Sequence, residues 1–167
     1  MGETVISSLE SHLAAIRDAR ERLLQLLQGM DYCLDWKPEP SAWSARQAVY
    51  HLLDTPPGGL AGVVYGILSG GLTEYDLWAD LDNMTPERQG FDLERVLQDI
   101  NGFFSSLTET LAAAGVNGLE GKTAVVHNKS RGTDDHRTVG DILERGFGGH
   151  WAGHFQQLQD LRDSLGL

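Results

Sequence analysis

Two histidines, His150 and His154, stand four residues apart near the C-terminal end of the chain. They occupy positions where the 3–4 spacing of the surrounding apolar residues predicts the buried face of a helix. Side chains four residues apart on a helix have Cβ atoms ~5–6 Å apart, so both imidazoles can reach one ion. Neutral histidine is a common ligand of zinc and similar divalent metals. On spacing alone a pair of core histidines is the commoner explanation, and both interpretations stay open here.

His51 offers the third protein ligand that such a metal site needs. It lies near the C-terminal end of another predicted helix, beside the apolar residues Ala48 and Leu52. If this helix and the His150/His154 helix are neighbours at the same height, the three imidazoles converge in the core. Three neutral ligands leave one position open for water or substrate, which is typical of a catalytic rather than a structural site. No residue stands out as a general base, so the catalytic residues remain unassigned.

The spacing of apolar residues predicts the helices that must position these histidines. The helices are expected over residues 5–27, 45–54, from Asp92 as N-cap to Ala114, and from Thr138 to about Ser164. Ser44 with Gln47, and Thr138 with Asp141, have the spacing of a capping box at a helix start. The prediction is one all-α domain over residues 1–167, a four-helix bundle with a long crossover connection.

The crossover region is harder to interpret from the sequence. Pro56-Pro57-Gly58-Gly59 predicts that residues 55–59 leave helical geometry, because each proline ring would clash with the carbonyl four residues earlier. A helix is expected to resume from Leu60 to Leu68. Residues 69–90 are expected to form a loop with a short helical turn at Tyr75–Leu81, and residues 116–137 a loop or a small hairpin around the β-like run Thr123–Val126.

Composition limits the classes of partner. The formal net charge is −11, and no basic patch with interleaved aromatic residues occurs, which argues against nucleic-acid binding. Cys33 is the only cysteine, so no intramolecular disulfide can form, as is usual in a reducing compartment. The chain begins without the basic and apolar regions of a signal peptide, and its most apolar window is too short for a membrane span. We therefore expect a cytoplasmic protein that acts on a small molecule, without nucleic-acid or membrane partners.

Several other residues carry weaker hypotheses. Asp54, one turn beyond His51, could orient an imidazole, although a solvated carboxylate at the helix end is the commoner role. Four aromatic residues are candidates for lining a pocket, with core packing as the simpler explanation: Trp43, Phe147, Trp151 and Phe155. The glycines of Gly146-Phe147-Gly148-Gly149 are expected to let a neighbouring helix approach His150. His12, His127 and His136 are not expected to bind metal.

Two segments resemble the DinB/YfiT-like family. Trp43-Ser44-Ala45-Arg46-Gln47-Ala48-Val49-Tyr50-His51-Leu52 is similar to a family segment that ends in a metal-binding histidine and a leucine. The stretch from His150 to Leu158 resembles the closing His-x-x-x-His helix of the same family. The order of the helices along most of the chain also agrees with that family. One departure is the Pro56-Pro57 break, because the family's second helix usually continues past its histidine.

The resemblance implies a four-helix bundle, a homodimer, and a site of three histidines for a divalent metal, most often nickel or zinc. On this basis His51, His150 and His154 are the expected metal ligands. It also implies thiol-dependent transferase or isomerase chemistry with a low-molecular-weight thiol. Two alternatives remain open: a metal-assisted hydrolase, and a non-catalytic binding or scaffold protein that keeps the fold.

Overall fold

The computed structural model describes the backbone of residues 2–167 and the side chains of residues 8–167. Met1 and the side chains of the next six residues, on which the expected absence of a targeting signal depends, lie outside the described residues. Among the residues that are described, no helix is both long enough and apolar enough to span a membrane.

More than half of the chain is helical. The helices are α1 (Gly2–Leu26), α2 (Ala45–Asp54), α3 (Gly59–Ser69), α4 (Pro86–Gln89), α5 (Leu93–Ala114), α6 (Val139–Arg145) and α7 (Trp151–Leu165). The predicted bounds of α2 and α5 are confirmed, and both helices begin after the predicted N-caps. Ser44 Oγ accepts from the Gln47 N–H, and the Ser44 N–H donates to Gln47 Oε1, which completes the capping box before α2.

The predicted break after α2 is confirmed. α2 ends at Asp54, Thr55 is extended, and the chain re-enters a helix at Gly59. Gly58 and Gly59 have φ angles of 84° and 69°. A Cβ on Gly59 would overlap the carbonyl oxygen of Leu53, so this turn requires glycine both for its backbone conformation and for space.

A small three-stranded sheet corrects the all-α expectation. It is formed by β1 (Glu74–Leu77), β2 (Thr123–Asn128) and β3 (Thr133–Thr138). β2 and β3 form the hairpin that was one of the expected alternatives, and β1 pairs with β2 in parallel. The helical turn predicted at residues 75–81 was therefore wrong. In β1, exposed Glu74 and Asp76 alternate with partly buried Tyr75 and Leu77, a period of two that suits a half-buried strand.

The buried apolar side chains form one contiguous core. α1 packs against α5 and α7, α2 packs against α3 and α7, and α3 packs against α5. The apolar residues that α5 buries follow the helical 3–4 spacing: Val96, Ile100, Phe103, Phe104, Leu107 and Leu111. The sheet contributes Ala124, with 1% of its surface exposed, to the same core.

The predicted fourth helix is interrupted. α6 ends at Arg145, a π-helical turn spans Gly146–His150, and α7 begins at Trp151. The wider turn shifts the register of the helix, so Trp151 is fully buried whereas Phe147 is only partly buried. A Cβ on Gly146 would meet Leu60 of α3 at 2.7 Å, which confirms that this glycine permits a close helix approach. Turns of this type are frequent at functional sites.

Candidate metal centre

The three predicted histidines lie together. His51 comes from the last turn of α2, His150 from the end of the π-helical turn, and His154 from the first turn of α7. One ring nitrogen from each lies within 4.8 Å of the other two. The Nε2 atoms of His51 and His150 are 2.8 Å apart. His51 is fully buried and the other two are partly buried. The three side chains are therefore close enough to hold one metal ion.

Hydrogen bonds on the far side of two rings determine which nitrogen faces the centre. His51 Nδ1 is 2.5 Å from the carbonyl oxygen of Leu81, and this oxygen can only accept. His51 Nδ1 therefore carries the proton, and its Nε2 lone pair is free. His154 Nδ1 is 2.8 Å from Gln157 Oε1, which assigns the same tautomer to His154. Such outward donation is the usual arrangement around metal-binding histidines.

The loop that supplies the Leu81 carbonyl is anchored to α2. The Asn83 side-chain amide donates to Thr55 Oγ1 at 2.9 Å and to the carbonyl of Tyr50 at 3.2 Å. Asn83 has a φ of 57°, a conformation that asparagine tolerates better than most residues. Gln47 Nε2 also donates to Asp82 Oδ2 at 2.9 Å. These contacts hold the Leu81 carbonyl against His51.

Burial keeps His51 and His150 neutral. Desolvation, followed by the neighbouring His154 and His51, lowers the pKa of His150 from 6.5 to about 4. The pKa of His51 is also lowered, mainly by desolvation, although its hydrogen bond to the Leu81 carbonyl acts in the opposite direction. A neutral imidazole is the form that binds a metal, so both groups are ready for binding at neutral pH.

Of the four candidate aromatic residues, only Trp43 borders the three histidines. Its ring lies 4.8 Å from His51 and is stacked 6.0 Å from His154, measured between centroids. Trp151 is fully buried among phenylalanine rings, and Phe147 and Phe155 pack against it, so these three residues belong to the core. This confirms core packing as the simpler explanation for three of the four.

Asp54 does not orient an imidazole. Its side chain accepts from the Gly58 N–H at 3.0 Å and pairs with Arg88 at 3.3 Å. It therefore closes the turn after α2, whereas the imidazole of His51 is oriented by a backbone carbonyl. Sequence spacing gave no sign of that carbonyl, since Leu81 lies 30 residues away in a loop. Gln157 could have been found, because it follows His154 by one helical turn.

The remaining described histidines lie elsewhere, as expected. His127 is on β2, where it contacts Asp134 at 2.8 Å and Glu74 at 3.8 Å. His136 is paired across the sheet with Val125. His12, on α1, lies near Gly140. None of the three belongs to the group that could hold an ion.

Arg46 gives the Trp43–Leu52 segment a second, structural role. Its side chain is buried, contacts both carboxylate oxygens of Asp35, and donates to the carbonyls of Arg88 and Phe91. It thereby ties α2 to the preceding turn and to the chain between α4 and α5. Part of the resemblance in this segment consequently reflects packing rather than chemistry.

A cavity of about 490 Å³ adjoins the three histidines at His150, which is the one of the three that lines it. His150, Thr55 and Pro56 line it on one side, and the sheet lines it on the other. This volume is in the range of small-molecule sites. The open side of a metal centre at His150 would therefore have space for a substrate.

The donor set fits a divalent metal. Nitrogen ligands at ~2.0–2.1 Å from an ion are ~2.9 Å apart at a right angle and ~3.4 Å apart in a tetrahedron. The 2.8 Å between the Nε2 atoms of His51 and His150 is close to the first value. It is also the length of an N–H···N hydrogen bond, which would join the two rings without an ion. The limit of 4.8 Å within which all three donor nitrogens lie is larger than either value for a bound ion, so the rings must move closer together to bind one ion.

Comparison with known proteins leaves the site as the main source of functional information. The chain matches no family model, no curated protein and no solved structure.

Proposed function

We propose that His51, His150 and His154 bind a divalent metal, nickel or zinc, and that the protein is a metal-dependent enzyme of the DinB/YfiT-like type. Under this proposal the helices form that family's four-helix bundle, with β1 in the crossover before α5 and the β2–β3 hairpin between α5 and α6. The observation that carries the proposal is the convergence of three imidazoles, two of which have a hydrogen-bonded nitrogen turned away from the centre.

The reaction we propose is transfer or isomerisation that uses a low-molecular-weight thiol. A bound metal ion would lower the pKa of a thiol or water at its open position, so that a thiolate or hydroxide is present at neutral pH. The protein supplies the rest: the Leu81 carbonyl and Gln157 orient two imidazoles, Trp43 shields them from solvent, and the adjoining cavity admits a substrate. Among the alternatives, this cavity favours an enzyme over a scaffold.

The test is turnover of a small electrophile by metal-loaded protein, with and without an added thiol. The proposal expects metal-dependent turnover that requires the thiol and is lost in His154→Ala but retained in the matched control His127→Ala. Turnover with metal alone would support a hydrolase instead. Absence of turnover with a panel of thiols, despite bound metal, would support the non-catalytic alternative.

A further inference from the structure

The cavity beside His150 has a charge opposite to that of the whole protein. Three arginines from separate elements line it: Arg131 from the β2–β3 turn, Arg137 from β3 and Arg145 from the end of α6. Its lining contains no carboxylate, although the chain carries a net charge of −11. Converging positive charge in a concave site attracts anions.

These guanidinium groups are only partly neutralised by the protein. Arg137 Nη2 lies 2.9 Å from Asp135 Oδ2, and Arg145 Nη1 lies 3.4 Å from the same oxygen. One carboxylate is thus shared by two arginines. Within residues 8–167, whose side chains are described, the guanidinium of Arg131 makes no ion pair or hydrogen bond.

Arg137 has an unused donor. Its side chain is only 11% exposed, and its Nε is buried without a hydrogen-bond partner among the described residues. A buried N–H of a charged group that lacks an acceptor is unfavourable by more than a neutral one. Guanidinium N–H groups fit the two oxygens of a carboxylate or phosphate. An oxyanion in the cavity would bind the part of the Arg137 guanidinium that faces it, and a small shift of the side chain would be needed for the buried Nε to donate as well.

The rest of the cavity lining suits the uncharged part of a small organic ligand. Leu60, Leu77 and Ile142 provide apolar surface. Tyr75 adds a hydroxyl, and burial raises its pKa to about 12, so it remains a hydrogen-bond donor at neutral pH. A few polar groups on an apolar wall are typical of sites for small organic molecules.

We propose that this cavity binds a small organic oxyanion, with its carboxylate or phosphate on Arg137 and Arg145 and its body extending toward His150. The inference rests on the proposed function and names the substrate class of the same site. Arg137 and Arg145 act in binding and positioning. The anion site itself consists only of residues outside the three histidines.

The experiment measures binding to chelator-treated, metal-free protein by calorimetry at constant ionic strength. The probes are benzoate, phenyl phosphate and the neutral benzamide. We expect at least one anion to bind with a dissociation constant of ~1 mM or lower, at least ~10-fold tighter than benzamide. The tighter of the two anions identifies the preferred oxyanion. Arg137→Met and Arg145→Met should each weaken it at least ~10-fold, whereas Arg17→Met, at an exposed arginine on α1, should not.

Binding of both anions no tighter than benzamide would overturn the inference. So would unchanged binding in Arg145→Met, a variant expected to fold because this side chain is 58% exposed. Metal content of the same variants separates the two proposals. Arg145→Met that keeps both its metal and its anion affinity refutes only the anion site. Arginine-dependent anion binding in a protein that takes up no metal refutes only the metal site.

Discussion

His150 is the residue whose environment has the most direct consequence for pH dependence. Its pKa in the folded protein is about 4, against 6.5 for an ordinary histidine. Between these values the unfolded chain binds more protons than the folded one, so the free energy of unfolding decreases as pH falls. Above pH 6.5 the neutral His150 makes its full contribution to the free energy of unfolding. This contribution is lost progressively as the pH falls toward 4.

We therefore predict that metal-free protein loses stability on acidification more steeply than its His150→Gln variant. One histidine contributes a slope of at most ~1.4 kcal/mol per pH unit. Urea unfolding of both proteins at several values between about pH 7 and pH 5 measures the difference. His136→Gln serves as the control and should follow the parent protein. Parallel pH profiles for the parent and His150→Gln would contradict the buried, neutral state of this ring.

Protonation of the histidines also affects metal binding. Protons and metal ions compete for the imidazole lone pairs, so affinity should fall as pH decreases through the range of free histidine, near ~6.5. Titration with zinc at two pH values, about 7.5 and 5.5, should show much weaker binding at the lower one. Affinity that is independent of pH would argue for ligands other than histidine.

At the residue scale the sequence predicted which three histidines lie close together. His150 and His154 were found from helical spacing, and His51 from its place at the end of α2. The nitrogen tautomers were not predictable, because the Leu81 carbonyl that determines one of them reaches His51 through a loop. The cavity arginines were also missed, since Arg131, Arg137 and Arg145 meet only after the sheet folds over α6.

At the element scale, the loop after β1 orients the site. Asn83 attaches this loop to the end of α2. Asn83→Gly removes the side-chain amide, and glycine tolerates the φ of 57° at this position. We predict that metal affinity falls ~10–100-fold, as for other partners that orient metal ligands. Zinc titration measures it, with Asn117→Gly at an exposed turn as the control. Unchanged affinity in Asn83→Gly would show that His51 needs no support from this loop.

The break between α2 and α3 depends on Gly59. Its φ is 69°, and a Cβ there would overlap the carbonyl oxygen of Leu53. We predict that Gly59→Ala lowers the free energy of unfolding by ~3 kcal/mol or more, because both backbone strain and a backbone clash are introduced.

Gly62→Ala is the matched control, because Gly62 lies within α3 and a Cβ there meets nothing within 4 Å. Alanine at this helical position should stabilise the protein by ~0.5–1 kcal/mol. Urea denaturation of both variants makes the comparison. Similar stability of the two variants would mean that the turn can relax without affecting α2 or α3.

The elements were predictable where the determinants are local. α2 was predicted with its bounds because the Ser44–Gln47 capping box and the Pro56-Pro57 break both lie within a few residues of its ends. β1 was not, because its pairing joins Glu74–Leu77 to residues about fifty positions later in the chain. The π-helical turn before α7 was missed too. Its only sequence sign is the glycine run Gly146, Gly148 and Gly149.

At the scale of the whole molecule, the family resemblance leads us to expect a homodimer. One chain has a mass of 18.3 kDa. Light scattering at micromolar concentration should therefore give about twice this mass. A single species with the mass of one chain would remove the expectation, without bearing on the metal site, whose three histidines come from one chain.

The long helices were predicted, and the β2–β3 hairpin was one of the expected alternatives, but β1 and its pairing into a three-stranded sheet were not predicted. The sequence periodicity of α1, α5 and α7 comes from faces that bury against one another, and such faces can be found from spacing alone. The sheet lines the cavity beside His150 and supplies Arg137, so the part of the fold that was not fully predicted is also a wall of this cavity.

The central claim is that the three histidines bind one metal ion, and elemental analysis tests it most directly. Protein produced without a histidine tag should contain about one nickel or zinc ion per chain after incubation with the metal and removal of the excess. His154→Ala should reduce this to background, and His127→Ala should leave it unchanged. Absence of stoichiometric metal in the parent protein, or equal metal in His154→Ala, would contradict the account and leave a hydrogen-bonded group of core histidines.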